Sequence, residues 1–125
     1  EDSSLDEPYK QAKELDSLGV LFCLSYEGEM EAMGARNLAF TAGTTVAYGL
    51  EYEKAVQSIT LNSAKILGID NMVGSIESGK NATFFISSGD ALDMRTNNIE
   101  KAYINGLSID LNNHQKELFK KYNKK

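Results

Sequence analysis

The sequence predicts an α/β chain that changes class partway, with helices around a buried strand first and short antiparallel strands after. Three observations carry that prediction. Val20-Leu21-Phe22-Cys23-Leu24 is apolar at every position, as in a strand covered on both faces by helices. The segments on either side of it repeat apolar residues at helical spacing. Beyond Met72 the pattern shortens to runs of strand formers, with Asn105-Gly106 between two of them. That pair is a strong hairpin signal because both residues tolerate positive φ.

The elements follow in order. Asp6 is placed to cap a first helix carrying Pro8 in its first turn, with Leu5, Tyr9, Ala12 and Leu15 as its apolar stripe and Gly19 as its stop. The buried strand Val20 to Leu24 comes next, then a polar, acidic loop from Ser25 to Ala35. Asn37 is placed to cap a second helix that stops at Gly49, and its small residues allow close packing. Tyr52, Ala55, Val56 and Ile59 mark a third helix. Asn62 is placed to cap a short fourth one ending at Gly68. Val73 to Ile76, Ala82 to Ile86, Lys101 to Ile104 and Leu107 to Leu111 read as strands. Asn112 or Asn113 then caps a last helix through Leu118, Phe119 and Tyr122.

Neither half closes on itself. A parallel-type strand lacks parallel neighbours, and four short strands make a sheet with bare edges.

At 42% hydrophobic and 25% charged, the 125 residues exclude whole-chain disorder and fit one compact domain. No apolar run approaches the roughly 18 residues of a bilayer span, and the reading is of a soluble chain. A net charge of −5 argues against nucleic acid as a partner, and no membrane partner is expected. The charge is uneven: Glu1, Asp2, Asp6 and Glu7 open the chain, and Lys116, Lys120, Lys121, Lys124 and Lys125 close it. A solvated terminal helix accounts for the basic end.

Cys23 and His114 are the one cysteine and the one histidine. A zinc site with several His or Cys ligands cannot be assembled from this chain alone. A Ser-His-Asp triad would have to use a histidine in a polar tail. Cys23 reads as a small buried hydrophobe. Gly74-x-x-x-x-Gly79-Lys80 fails as a phosphate loop because Asn81 follows where Ser or Thr is needed.

Thr60-Leu61-Asn62-Ser63-Ala64-Lys65-Ile66-Leu67-Gly68, followed by Val73-Gly74-Ser75-Ile76-Glu77-Ser78-Gly79-Lys80-Asn81-Ala82, resembles the carboxyl-terminal signature of the metal-dependent amidohydrolase superfamily, imidazolonepropionase-like branch. Gly89-Asp90-Ala91-Leu92-Asp93 is similar to that family's G-D-P-L-D turn, and Tyr103-Ile104-Asn105-Gly106 to its closing hairpin. Two departures stand out. Ser63 replaces the usual Pro, and Thr83 the usual Asp.

The resemblance implies that residues 1–70 are the end of a TIM-type barrel, 71–111 late strands of a small composite β-sandwich, and 112–125 a carboxyl-terminal helix. It implies that Val20 to Leu24 is the last barrel strand. The family presents at that strand's end an Asp that binds metal and takes a proton from water. Here Ser25, Tyr26 and Glu27 follow, so Glu27 is the candidate catalytic acid, against a plain reading as a solvated loop carboxylate beside Glu29 and Glu31.

The implied chemistry of the intact protein is hydrolysis of a C–N bond in a small linear or cyclic amide, assisted by a divalent metal, zinc by expectation. The implied partner is the remainder of a parent chain. The 125 residues alone are expected to be inactive and to self-associate. The alternative is a non-catalytic interaction or scaffold module on the same fold.

Overall fold

The computed structural model describes residues 5–28 and 33–123. Glu29, Met30 and Glu31 of the acidic loop, and the terminal charges Glu1, Asp2, Lys124 and Lys125, lie outside the described residues. Five α-helices and three strands are present among those described: α1 Glu7–Ser17, α2 Leu38–Ala47, α3 Tyr52–Ser58, α4 Leu61–Ile66, β1 Phe84–Ser87, β2 Ile99–Ile104, β3 Leu107–Ser108 and α5 His114–Tyr122. Packing runs between chain neighbours: α1 on α2, α2 on α3, α3 on α4, β1 on β2 and β2 on β3.

The helix stops fall where the glycines predicted, but the side-chain caps mostly do not. Asp6 makes no cap hydrogen bond; its carboxylate pairs instead with Lys10, 2.7 Å away and one turn on. Leu5 precedes the helix and is exposed, so the apolar stripe begins at Tyr9, which stacks on Tyr48 of the α2 terminus at 5.1 Å. Asn37 closes a 3₁₀ turn, Ala35–Asn37, that runs straight into α2, so its side chain caps nothing. Asn113 does cap, accepting from the Lys116 N–H at 2.9 Å.

The core is built from small residues. Ala12, Ala42, Leu50, Ala55 and Leu92 are buried together, with Phe22, Leu24, Ala39, Val46, Val56 and Ile59 packed against them. Alanines let the helices approach closely and leave little apolar area to bury. Gly43 extends the logic. A Cβ there would sit 2.2 Å from the Leu92 carbonyl oxygen, so only glycine lets α2 receive the loop that carries Leu92.

Val20 to Leu24 is irregular and joins no ladder. The strand buried on both faces is not realised: Val20 and Leu21 are 47% and 51% exposed. No described strand lies beside the segment, and two hydrogen bonds to the α3–α4 corner hold it. The Leu24 N–H donates to the Ser58 carbonyl, and the Asn62 side-chain amide donates to the Phe22 carbonyl, both at 3.1 Å. Asn62 therefore sits inside α4, behind Thr60 at the cap position, and its side chain serves a segment 40 residues away.

Val73 to Ile76 is bend and irregular chain, not strand. The loop there is cinched by Asn81 N–H to the Met72 carbonyl (2.8 Å) and by Lys80, which bonds Ser75 and Glu77. β1, β2 and β3 form an antiparallel sheet in that order. Phe84 opposes Tyr103 with ring centroids 5.1 Å apart. β3 is shorter than the run Leu107 to Leu111 suggested. Asn105 and Gly106 turn the hairpin with φ of 50° and 79°, a type I′ geometry. Thr83 accepts from the Asn105 N–H at 3.1 Å and so anchors the hairpin tip.

The two halves are clasped by the loop before β2. Leu92 plugs the helical core, and the Tyr52 hydroxyl donates to the Asp90 carboxylate at 2.7 Å. That carboxylate also accepts from the Leu92 N–H at 2.9 Å. The two bonds hold the Asp90 carboxyl below its ordinary range, the Tyr52 bond first, while the bond to Asp90, then partial burial and the neighbouring negative charges, push the Tyr52 hydroxyl up to about 12.

The chain exposes 9627 Å². A compact protein of 13.8 kDa exposes roughly 6,600 Å².

Two tests follow from this geometry. Asn62→Ala leaves the Phe22 carbonyl without its donor and is expected to destabilise by about 1 kcal/mol, whereas Asn37→Ala stays within about 0.5 kcal/mol; urea titration of the two variants checks the contrast. The second concerns pH. A carboxyl with a lowered folded pKa contributes stability above its unfolded value, and that contribution is lost as pH falls through the folded one. The raised Tyr52 hydroxyl contributes below its unfolded value of about 10 and loses that contribution on rising through the folded one. Asp90→Asn is thus expected to lower the urea midpoint at pH 7, with the gap to the parent closing below about pH 4. An equal gap at pH 7 and pH 3 would refute the clasp.

Candidate functional site

The segment Val20 to Leu24 delivers Ser25, Tyr26 and Glu27 to one end of the helical layer. Tyr26 fixes that end: its hydroxyl lies 2.7 Å from the Thr41 hydroxyl on α2, and Thr41 in turn donates to the Asn37 carbonyl at 3.3 Å. Glu27 follows this anchor directly and is exposed. Gly28 then bends the backbone with φ of 106°.

Beside the segment, α1 and α2 enclose an open groove of about 610 Å³. Ala12, Leu15, Phe22, Leu24, Phe40 and Met94 make its apolar walls, and Asn37 and Thr41 are among its polar groups. Cys23 also lines it and is half-buried rather than buried. Glu27 does not line the groove. The candidate acid and the groove are therefore separate features.

The donor set of a divalent ion does not come together. His114 opens α5, Cys23 lies on the groove, and no three His, Cys, Asp or Glu side chains gather among the described residues. Among the described residues no metal centre forms, and Glu27 is the carboxylate they bring to the end of the segment.

Lys80, the lysine of the discarded phosphate-loop pattern, is held by Ser75 and Glu77. The paired Lys80 and the Ser75 hydroxyl hold the Glu77 carboxyl below its ordinary range, Ser75 contributing most. The cluster is a loop clamp. Sequence reasoning missed three positioning contacts: Asn62 on Phe22, Tyr26 on Thr41, and Tyr52 on Asp90. Asn62 and Asp90 both stand in motifs the sequence offered, but their partners are 40 and 38 residues away.

Comparison with known proteins gives this geometry a context. A stretch of imidazolonepropionase from Shewanella frigidimarina (strain NCIMB 400) is 57% identical over 37 residues, which is 30% of this chain and 9% of that protein. The structure of an amidohydrolase from Thermotoga maritima MSB8 superposes with a TM-score of 0.73 at 31% identity, over 82% of this chain. An uncharacterized protein shares the fold at 20% identity, with a TM-score of 0.62 over 86% of this chain. The chain spans only 26% and 28% of those two structures. The sequence model of the amidohydrolase family matches from residue 9 to residue 110, through both the helical half and the sheet. On that match the chain belongs to the amidohydrolase family.

Proposed function

We propose that this chain is the carboxyl-terminal portion of an enzyme that hydrolyses a C–N bond in a small linear or cyclic amide. The observation that carries the reading is uncovered surface. The chain exposes roughly 3,000 Å² more than a compact protein of its mass, and the segment Val20 to Leu24 has no strand beside it among the described residues. Both are expected of the end of a TIM-type barrel separated from its other strands. The 26% share of the Thermotoga relative's length supports the same view.

In this reading residues 1–70 supply the last barrel strand and its helices, 71–111 the late sandwich strands, and 112–125 the terminal helix. Barrel enzymes place chemistry at the carboxyl ends of the strands, which is where Glu27 stands. A divalent ion, zinc in this proposal, would supply an activated water and a polarised carbonyl in the intact protein. Its ligands come from the remainder of the parent chain. What these residues contribute is a base at the strand end, oriented by the Tyr26–Thr41 contact.

One feature favours a second reading, a non-catalytic module on the same fold: Glu27, not Asp, is the first acid after the strand. A Glu reaches one methylene further than the family's Asp and would need a shifted loop.

The 125-residue chain is expected to hydrolyse no amide or lactam, with or without added zinc. Zinc-dependent turnover that tracks the purified chain and is lost in Glu27→Gln would overturn the reading. In the intact parent, Glu27→Gln is expected to lower kcat by roughly 10² to 10⁴-fold, the usual worth of a general base. A change within about twofold would assign Glu27 to the loop and favour the non-catalytic module.

A further inference from the structure

The hairpin tip carries a pair of residues whose chemistry the fold holds in check. Asn105 is the one asparagine of the chain that glycine follows. In such a pair the main-chain nitrogen of the glycine, with no Cβ beside it, can attack the side-chain carboxamide of the asparagine. The tip stands in open space. Asn105 and Gly106 are exposed, and a Cβ at Gly106 would meet nothing within 4 Å, so water and hydroxide reach both.

What restrains the pair is the segment that leads into β1. The Gly106 N–H, which holds the attacking nitrogen, donates to the Ala82 carbonyl at 2.8 Å. The Asn105 N–H donates to the Thr83 hydroxyl at 3.1 Å. Engaged on Ala82, the Gly106 nitrogen keeps its proton. Little else secures the tip. Ile104 and Leu107, which flank it, are both more than half exposed, and β3 is two residues long. Regions with few buried contacts and exposed backbone bonds open locally before the whole fold does.

We propose that Asn105-Gly106 is a latent self-modification site, closed while the tip is tied to Ala82 and Thr83 and reactive when it lifts off. Once free, the Gly106 nitrogen gives its proton to hydroxide and bonds to the Asn105 carboxamide carbon. The carbon–nitrogen bond of the carboxamide breaks, and ammonia leaves with a proton taken from water. The five-membered imide then opens by adding water at either carbonyl, which leaves an aspartyl or an isoaspartyl residue. The isoaspartyl product routes the main chain through the former side chain and lengthens it by one methylene. A two-residue type I′ turn has no room for that atom, so the tie to Ala82 cannot re-form. Each opening that goes to product is recorded for good. Water is the one co-reactant, and the inference is independent of which bond the intact protein hydrolyses.

The test incubates the full chain in mildly alkaline buffer and follows position 105 by peptide mass mapping. Conversion of amide to acid is expected to be slower in native buffer than in denaturing urea by roughly tenfold or more, since two hydrogen bonds guard the site. Thr83→Val removes one of them and is expected to speed the native-buffer reaction about fivefold, with no change in urea. Asn62→Ala, which weakens the helical corner, is expected to leave the native-buffer rate essentially unchanged. Circular dichroism checks that both variants fold. Should Thr83→Val fail to fold, the parent alone decides: its rate is expected to rise with sub-denaturing urea in step with hydrogen exchange at the Gly106 amide. Equal rates in native buffer and in urea would overturn the inference. So would equal acceleration by Thr83→Val and Asn62→Ala, which would make global unfolding the gate. A product that is aspartyl alone would mean direct hydrolysis without the imide, and equally overturn it.

Discussion

The architecture depends on a pair of hydrogen bonds that pin an apolar, unladdered segment to a helical corner. Ser58 is fully buried; its hydroxyl is spent on the Ala55 carbonyl at 2.7 Å, while its own carbonyl accepts from Leu24 and from the Ser63 hydroxyl. Asn62 completes the stitch at Phe22. A backbone carbonyl buried without a donor costs about as much as a hydrogen bond lost, so the segment cannot drift from this corner. The placement of Tyr26, Glu27 and the groove beside them is inherited from that constraint.

The helical layer beside this stitch is rich in alanine and glycine. Ala42 and Ala55 pack in the core with Phe22 and Leu24 against it, and Gly43 admits the loop that carries Leu92. The apolar area gained is small. Large side chains such as Leu67 and Met94 remain exposed.

Local signals in the sequence were read well where local physics decides. The positive φ of Asn105 and Gly106, the glycines after the helices and the Asn113 cap all act within a few residues. Reading failed where a distant partner decides. Asn62 is chemically as good a cap as Asn113, and what moves it to another task is the Phe22 carbonyl. Val20 to Leu24 has the composition of a buried strand, yet a strand needs neighbours, and none of the described residues supplies them. Val73 to Ile76 has strand formers, but Gly74 takes a φ of 96° and the loop closes on itself. Glu27 was legible as the nearest acid. Its separation from the groove was not, because that depends on the hold of Tyr26 on α2.

The packing between chain neighbours has a kinetic consequence. Contacts such as α2 on α3 and β1 on β2 close short loops, which cost little entropy and form early. The long-range ties, Leu24 to Ser58, Tyr52 to Asp90 and Gly43 against Leu92, close the longest loops and so complete last. Helical layer and hairpin can each mature on the growing polypeptide before either finds the other. In a unit that assembles in this order, the last event is the docking of two preformed halves on each other.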